Sequence, residues 1–211
     1  MKIISLITTI LTCYLSVACE TTGHKEHTQE ACTTTKIQWD NVIIGGSISE
    51  GHPGLHGFSH GQCDNKPGQL SYSIEQRYGD TLNMGIGGQS CREILNRFST
   101  SVLIFKPKRV FMNCGHNKLS NDVLSVYDEV IRLAEENNFE LHILNISKDY
   151  RKPGNTSYIK ELNREISNFA SENVKIYDTF TWSENNEHLL PDGLHPSKEG
   201  YEKLANETIN L

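Results

Sequence analysis

The sequence predicts an α/β protein, a three-layer α/β/α sandwich with a five-stranded parallel sheet. Short apolar segments of strand length alternate with longer segments whose apolar residues recur every three or four positions. Repeated strand–helix alternation requires crossover connections, which place consecutive strands parallel and cover both faces of the sheet with helices. The chain has 211 residues, of which 36% are hydrophobic, and is long enough to bury the core of one such domain.

Five short apolar segments are the predicted strands. Several of them run directly into glycine or asparagine, which is typical of a buried strand followed by a tight turn. The predicted strands are residues 39–44, 81–84, 108–113, 140–146 and 174–177.

The predicted helices lie between and after these strands. Residues 120–138 show the strongest helical pattern, since Val123, Val126, Val130 and Ala134 recur at a spacing that forms one apolar face. The other predicted helices are residues 69–78, a helix that opens at Ser90 and carries Ile94, Leu95 and Phe98, residues 155–171 and residues 197–209.

The charge balance excludes one broad class of function. The 20 lysines and arginines face 26 aspartates and glutamates, so the net charge is −6. Such a chain offers no broad basic surface to neutralise phosphates. We therefore expect no nucleic-acid partner.

The amino terminus is predicted to be a targeting segment. Residues 1–18 carry a single charge, Lys2, followed by an apolar run, which is typical of a secretory signal peptide. The small residues before Cys19 resemble a bacterial lipoprotein box, in which the cysteine carries the lipid anchor; an ordinary signal cleaved near Ala18 is the alternative. Residues 19–36 form the predicted tether, and residues 37–211 the domain. The resulting expectation is a secreted or extracytoplasmic protein, anchored to the membrane only through Cys19.

Four cysteines of the mature chain remain for disulfide bonds. Outside the cytosol, Cys32, Cys63, Cys91 and Cys114 could pair in three ways, and the sequence leaves all three open.

A loop rich in histidine offers an alternative use for one of these thiols. His52, His56 and His60 are spaced four apart near Cys63, and imidazole and thiolate are good zinc ligands. Proline and glycine interrupt any helix there, so the preferred interpretation is a polar loop beside the site, and we expect no metal.

Polar residues follow the predicted strands at points where a parallel sheet collects its ligands. Ser47 comes directly after a strand and two glycines, and Asn117 follows the third strand. Asp192 and His195 are three residues apart before the last helix. A carboxylate at that spacing can hold one imidazole nitrogen while the other nitrogen faces a hydroxyl, which indicates nucleophilic catalysis with Ser47, Asp192 and His195 as the catalytic residues.

At these residues the chain resembles the SGNH/GDSL hydrolase family. The segment around Ser47 is similar to the family's nucleophile block, and Asp192-Gly193-Leu194-His195-Pro196 is a close match to its last block. Gly88 falls where the family places an oxyanion-hole glycine, and Asn117 where it places its asparagine. The resemblance implies a flavodoxin-like fold, a serine esterase, an oxyanion hole formed by Ser47, Gly88 and Asn117, and no cofactor.

Two positions depart from the family pattern. Gly46 stands where the family has aspartate beside the nucleophile, and Lys118 stands where it has aspartate after the asparagine. The carboxylate that would orient His195 is retained.

The predicted function is an esterase that cleaves a small ester, an acylated sugar or a lipid through an acyl-enzyme on Ser47. An O-acyltransferase that uses the same acyl-enzyme is one alternative. A non-catalytic surface module that keeps the fold is the other, prompted by Gly46.

Overall fold

A computed structural model of the chain describes residues 36, 38–51, 65–120 and 122–209. The predicted signal peptide, the candidate lipid anchor Cys19 and nearly all of the tether lie outside these residues. No helix among the described residues combines the length and apolarity needed to cross a membrane.

Five strands form one parallel sheet, which confirms the predicted fold class. The strands are β1 (Asn41–Gly45), β2 (Thr81–Gly85), β3 (Arg109–Asn113), β4 (Glu140–Leu144) and β5 (Val174–Tyr177). Their spatial order is β2-β1-β3-β4-β5, and every neighbouring pair is parallel.

The helices alternate with the strands along the chain. They are α1 (Ser47–Glu50), α2 (Leu70–Tyr78), α3 (Cys91–Asn96), α4 (Phe98–Ser101), α5 (Asp122–Asn137), α6 (Thr156–Ser167), α7 (Thr179–Asn185) and α8 (Lys198–Thr208). Short 3₁₀ turns occupy Leu103–Phe105, Pro153–Asn155 and Glu187–Leu189.

The core lies on both faces of the sheet, because successive strand residues point to opposite sides. In β1, Val42 and Ile44 join the cluster under α3, α4, α5 and α6, whereas Ile43 joins the cluster under α1, α2 and α8. A strand buried on both faces needs apolar residues on both, which is why Val42, Ile43 and Ile44 form a continuous apolar run in the sequence.

The chain leaves β1 toward β2 on one side and later returns to β3 on the other. This reversal opens a crevice at the carboxyl ends of β1 and β3, the place where open parallel sheets bind ligands. Gly45 is level with Gly85 on one side and with Asn113 on the other, so the segments that follow these strands meet at one edge.

Two helices in the structure were not predicted, and one predicted helix is divided. The helix that opens at Ser90 ends at Asn96, and α4 begins at Phe98, with Arg97 between them. Four-residue α1 and polar α7 are too short to show a helical period. Trp182 of α7 is buried against Leu189, Leu190 and Leu204 and is a packing residue.

One disulfide bond joins the start of α3 to the residue after β3. Cys91 is bonded to Cys114 across 23 positions of the chain. Closing a loop of this size stabilises a fold by about 3 kcal/mol in the chain-entropy description. This bond occurs in one of the three pairings that the sequence leaves open, the one that would also join Cys32 to Cys63. Those two cysteines lie outside the described residues.

Candidate active site

The turn after β1 holds Ser47 at the carboxyl edge of the sheet. An ideal Cβ on Gly45 would lie 2.3 Å from the carbonyl oxygen of Asn113 and 2.1 Å from Oγ of Ser49, so only glycine fits there. Gly46 is extended (φ −86°, ψ −151°) and precedes α1, whose first residue is Ser47. The hydroxyl of Ser47 therefore stands at the start of a helix, directly over the end of a central strand.

Ser47, His195 and Asp192 form a continuous hydrogen-bonded chain. Oγ of Ser47 lies 2.7 Å from Nε2 of His195, and Nδ1 of His195 lies 2.6 Å from Oδ2 of Asp192. The structure thus brings together the nucleophile, base and carboxylate expected from the sequence, although 148 positions separate Ser47 from His195.

Backbone donors fix the carboxylate of Asp192. Its Oδ1 accepts the N–H groups of Leu194 at 3.0 Å and His195 at 2.7 Å, which leaves Oδ2 to face the imidazole. Partial burial opposes ionisation of this carboxyl, but the hydrogen bonds from His195 and the two N–H groups outweigh it and hold the pKa of Asp192 below its usual value. Asp192 is therefore ionised at neutral pH and can hold the imidazole in one tautomer.

The segment after β4 lies against the loop that carries Asp192 and His195. The N–H of Tyr150 donates to the carbonyl oxygen of Gly193 at 2.9 Å. Arg151 is held by Asp149, with Nε–Oδ1 at 2.9 Å, and its Nη1 lies 3.8 Å from Oδ2 of Asp192. Because it follows β4, this charged segment starts at the carboxyl edge of the sheet, but nothing in the sequence indicates that Arg151 reaches Asp192.

Three donors expected from the sequence lie around the nucleophile turn. Gly88 adopts φ +82°, a left-handed conformation that favours glycine. Nδ2 of Asn117 donates to the carbonyl oxygen of Gln89 at 3.2 Å and lies 3.4 Å from the position of a Cβ on Gly46. Within the part of the chain that the structure describes, the N–H groups of Ser47 and Gly88 donate no hydrogen bond.

His116 adds no charge near His195. Burial lowers the pKa of its imidazole to about 4, so the ring is neutral at pH 7. Its Nε2 is buried and has no hydrogen-bond partner among the described residues.

The described residues contain no group of three or more histidine, cysteine, aspartate or glutamate side chains arranged to hold a metal. The alternative metal loop of His52, His56, His60 and Cys63 lies outside those residues.

Two residues of the site's surroundings escaped the sequence analysis. Glu50 is buried beneath the nucleophile turn, and its Oε2 accepts the N–H of Gly87 at 3.0 Å. Arg97, between α3 and α4, donates from Nε to Oε1 of Gln89 at 2.7 Å. A single charged residue gives no sign in the sequence that it is buried, so only the folded chain identifies these two.

The buried guanidinium of Arg97 leads to a prediction about the substitution of Gly46. Nη1 of Arg97 is buried without a hydrogen-bond partner in the described residues, and burial lowers the pKa of the guanidinium to about 10. Its Nη2 lies 3.4 Å from the carbonyl oxygen of Gly45. We expect Gly46→Asp to supply a counter-charge and stabilise the fold by about 1.5–2 kcal/mol, at the lower end of the range for hydrogen bonds to charged groups. This gain corresponds to a rise in Tm of roughly 2–4 °C per kcal/mol for a domain of this size.

Gly46→Ala is the matched control, because its Cβ fits at 3.4 Å from Asn117 but brings no carboxylate. Thermal unfolding of both variants, each alone and combined with Arg97→Met, measures the interaction between the introduced carboxylate and Arg97. Equal Tm values for the Asp and Ala variants would contradict the expected ion pair.

A family model and several solved structures match the chain. The model of the GDSL-like lipase/acylhydrolase family matches residues 43–203. A search of curated proteins found no significant match.

The solved structures share the fold at low sequence identity. An acetylxylan esterase from Geobacillus stearothermophilus is 17% identical with a TM-score of 0.63, over 81% of this chain and 93% of that chain. A GDSL-like lipase from Bacteroides thetaiotaomicron is 20% identical with a TM-score of 0.61, over 81% and 85%. A member of the lipolytic G-D-S-L family from Veillonella parvula is 18% identical with a TM-score of 0.63, over 79% and 96%.

The family match covers the nucleophile turn, the three expected oxyanion donors and the Asp192–His195 loop. It therefore agrees with the resemblance found in the sequence and with the expectation of a hydrolase that acts on ester bonds. The chain belongs to the GDSL-like lipase/acylhydrolase family.

Proposed function

We propose that this protein is a serine esterase that cleaves carboxylic esters through an acyl-enzyme on Ser47. The observation that carries the proposal is the distance of 2.7 Å between Oγ of Ser47 and Nε2 of His195, with Asp192 behind the same ring. A serine hydroxyl is a weak nucleophile at neutral pH and needs a base within hydrogen-bond reach.

In the acylation half, Nε2 of His195 takes the proton of Ser47 as its Oγ attacks the ester carbonyl carbon. Asp192 stabilises the imidazolium that forms. The carbonyl oxygen becomes an oxyanion. It accepts hydrogen bonds from the N–H groups of Ser47 and Gly88 and from the side-chain amide of Asn117, which stabilise its charge. The imidazolium then gives its proton to the alkoxide as the carbon–oxygen bond breaks, and the alcohol leaves.

Deacylation repeats these steps with water. His195 takes a proton from a water molecule, the hydroxide attacks the acyl carbon, and a second oxyanion forms in the same place. Collapse returns the proton from His195 to Oγ of Ser47 and releases the carboxylic acid.

The alcohol half of the ester is proposed to be polar and hydroxylated. An open pocket of about 700 Å³ adjoins the Asp192–His195 loop at Gly193. It is lined by Glu184, Asn185, Glu187, His188, Leu190 and Gly193. Carboxylate, amide and imidazole groups can hydrogen-bond sugar hydroxyls, whereas a long acyl chain needs an apolar wall. The fold-sharing acetylxylan esterase supports an acylated sugar as the substrate class.

A serine-directed fluorophosphonate probe tests the nucleophile. We expect the probe to label the wild-type protein on the peptide that contains Ser47, as read by mass spectrometry. Ser47→Ala should remain unlabelled, while Ser49→Ala, two residues away in the same turn, should still react. Wild-type protein that stays unlabelled while folded would favour the non-catalytic module.

Product analysis separates the two catalytic alternatives. With an acetyl ester as donor and a soluble sugar as acceptor, an esterase releases acetate, whereas an O-acyltransferase yields the acetylated sugar.

A further inference from the structure

Glu50 is a buried carboxyl group that the proposed mechanism does not use. It lies three residues after Ser47 at the end of α1, and it is 4% exposed. Burying a carboxyl group carries a desolvation cost unless hydrogen bonds compensate it, so its place beneath the nucleophile needs a physical reason. That burial raises the pKa of Glu50 to about 7.

The side chain of Glu50 connects the nucleophile turn to the loop after β2. Its Oε2 accepts the N–H of Gly87 at 3.0 Å. An ideal Cβ on Gly87 would lie 2.7 Å from the same oxygen and 3.7 Å from Cβ of Ser47, so glycine allows the loop to approach the carboxyl group this closely. The next residue is Gly88, the expected oxyanion donor.

The backbone of Glu50 meets the same loop. An ideal Cβ on Gly85 would lie 2.2 Å from the backbone nitrogen of Glu50, and Nδ2 of Asn83 donates to its carbonyl oxygen at 3.4 Å. The two segments are therefore packed backbone against backbone at Gly85. Two residues further on, the carboxyl group of Glu50 holds the loop through a hydrogen bond.

We propose that Glu50 is a positioning residue, whose carboxyl oxygen fixes the Gly87–Gly88 peptide relative to Ser47 so that the N–H of Gly88 points at the forming oxyanion. The inference rests on the proposed esterase function. An oxygen acceptor is what the contact requires, and both the protonated and the ionised carboxyl group provide one. Displacing a catalytic donor by about 1 Å can cost on the order of 10² in rate.

Two substitutions separate the hydrogen bond from the volume of the side chain. Glu50→Gln keeps an oxygen acceptor, and Glu50→Met keeps the length but accepts no such bond. With p-nitrophenyl acetate as substrate, we expect kcat of Glu50→Met to fall about 10²-fold with KM changed by less than about threefold, because the oxyanion exists only in the transition state. Glu50→Gln should stay within about threefold of wild type. Glu135→Met, at an exposed position of α5, is the matched control.

A boronic acid that mimics the tetrahedral adduct gives an independent readout. Its inhibition constant should rise for Glu50→Met in parallel with the loss of kcat, whereas a purely structural loss would lower the active fraction and leave the inhibition constant unchanged. If Glu50→Met does not fold, Gly87→Ala tests the same contact from the other side, because its Cβ would displace the carboxyl group. The kcat of Gly87→Ala should then fall about 10²-fold with KM nearly unchanged. Adding Glu50→Gln to Gly87→Ala should change kcat by no more than about a further threefold.

The outcomes distinguish this inference from the esterase proposal. Folded Glu50→Met with kcat within threefold of wild type, alongside inactive Ser47→Ala, would overturn the role of Glu50 and leave the esterase standing. Full activity of Ser47→Ala would overturn the esterase itself.

Discussion

Asp192→Asn is expected to lower kcat by about 10⁴ with little change in KM, the size of the loss found for the equivalent change in a serine protease with the same three groups. The loss follows from the backbone N–H groups that hold the side chain of residue 192. Oδ1 of Asp192 accepts the N–H groups of Leu194 and His195, so the amide of an asparagine keeps its oxygen there and turns its NH₂ toward Nδ1 of the imidazole. His195 then carries its proton on Nε2 and cannot accept one from Ser47.

Steady-state kinetics on p-nitrophenyl acetate, with thermal unfolding to confirm an intact fold, check this expectation. Asp80→Asn is the control, because Asp80 is an exposed carboxylate at the opposite edge of the sheet, just before β2. If Asp192→Asn kept more than a tenth of the wild-type kcat, Asp192 would not be the group that orients the base.

Asn117→Ala is expected to lower kcat by about 10²–10³, which corresponds to about 2.7–4 kcal/mol for one oxyanion donor. The amide acts on charge that develops only in the transition state, so KM should stay nearly constant. The substitution also removes the 3.2 Å hydrogen bond from Nδ2 of Asn117 to the carbonyl oxygen of Gln89. Losing that bond should lower Tm slightly.

Asn117→Asp and Lys118→Ala complete the test. An aspartate at position 117 replaces the donor with a negative charge and should be at least as inactive as alanine. Lys118 is the exposed neighbour, 75% of its side chain being accessible, and its alanine variant should keep wild-type kcat. A parallel loss in all three variants would indicate damage to the loop rather than loss of a donor.

The sheet was predictable from the sequence, because buried parallel strands contain short, nearly continuous apolar runs and end at turn residues. Residues 174–177, the fifth predicted strand, are the observed β5. The fourth strand ends at Leu144, two residues earlier than predicted, since Ile146 leaves the ladder and its backbone bonds to the side chain of Asn163. Sequence periodicity does not show where a side chain replaces a ladder partner.

The candidate site was predictable where each residue follows a strand end or a turn. Ser47, Asn117 and the Asp192–His195 pair could be found this way. Glu50, Arg97 and the contact of Arg151 with Asp192 could not be found, because they depend on which loops meet at the edge of the sheet. Burial and contact across more than 30 positions leave no local pattern.

The cysteines show the same limit. Four thiols allow three pairings, and no spacing chooses among them. The bond between Cys91 and Cys114 follows from topology, because the start of α3 and the end of β3 meet beside β1. It ties the segment after Gly88 to the segment before Asn117.

The distance along the chain between Ser47 and His195 has a consequence for biosynthesis. The ribosome completes the turn that bears Ser47 148 positions before it reaches His195, so a polypeptide that stops between the two holds the proposed nucleophile without its proposed base. Under the proposed mechanism, a chain truncated before Asp192 keeps all five strands of the sheet but hydrolyses no ester.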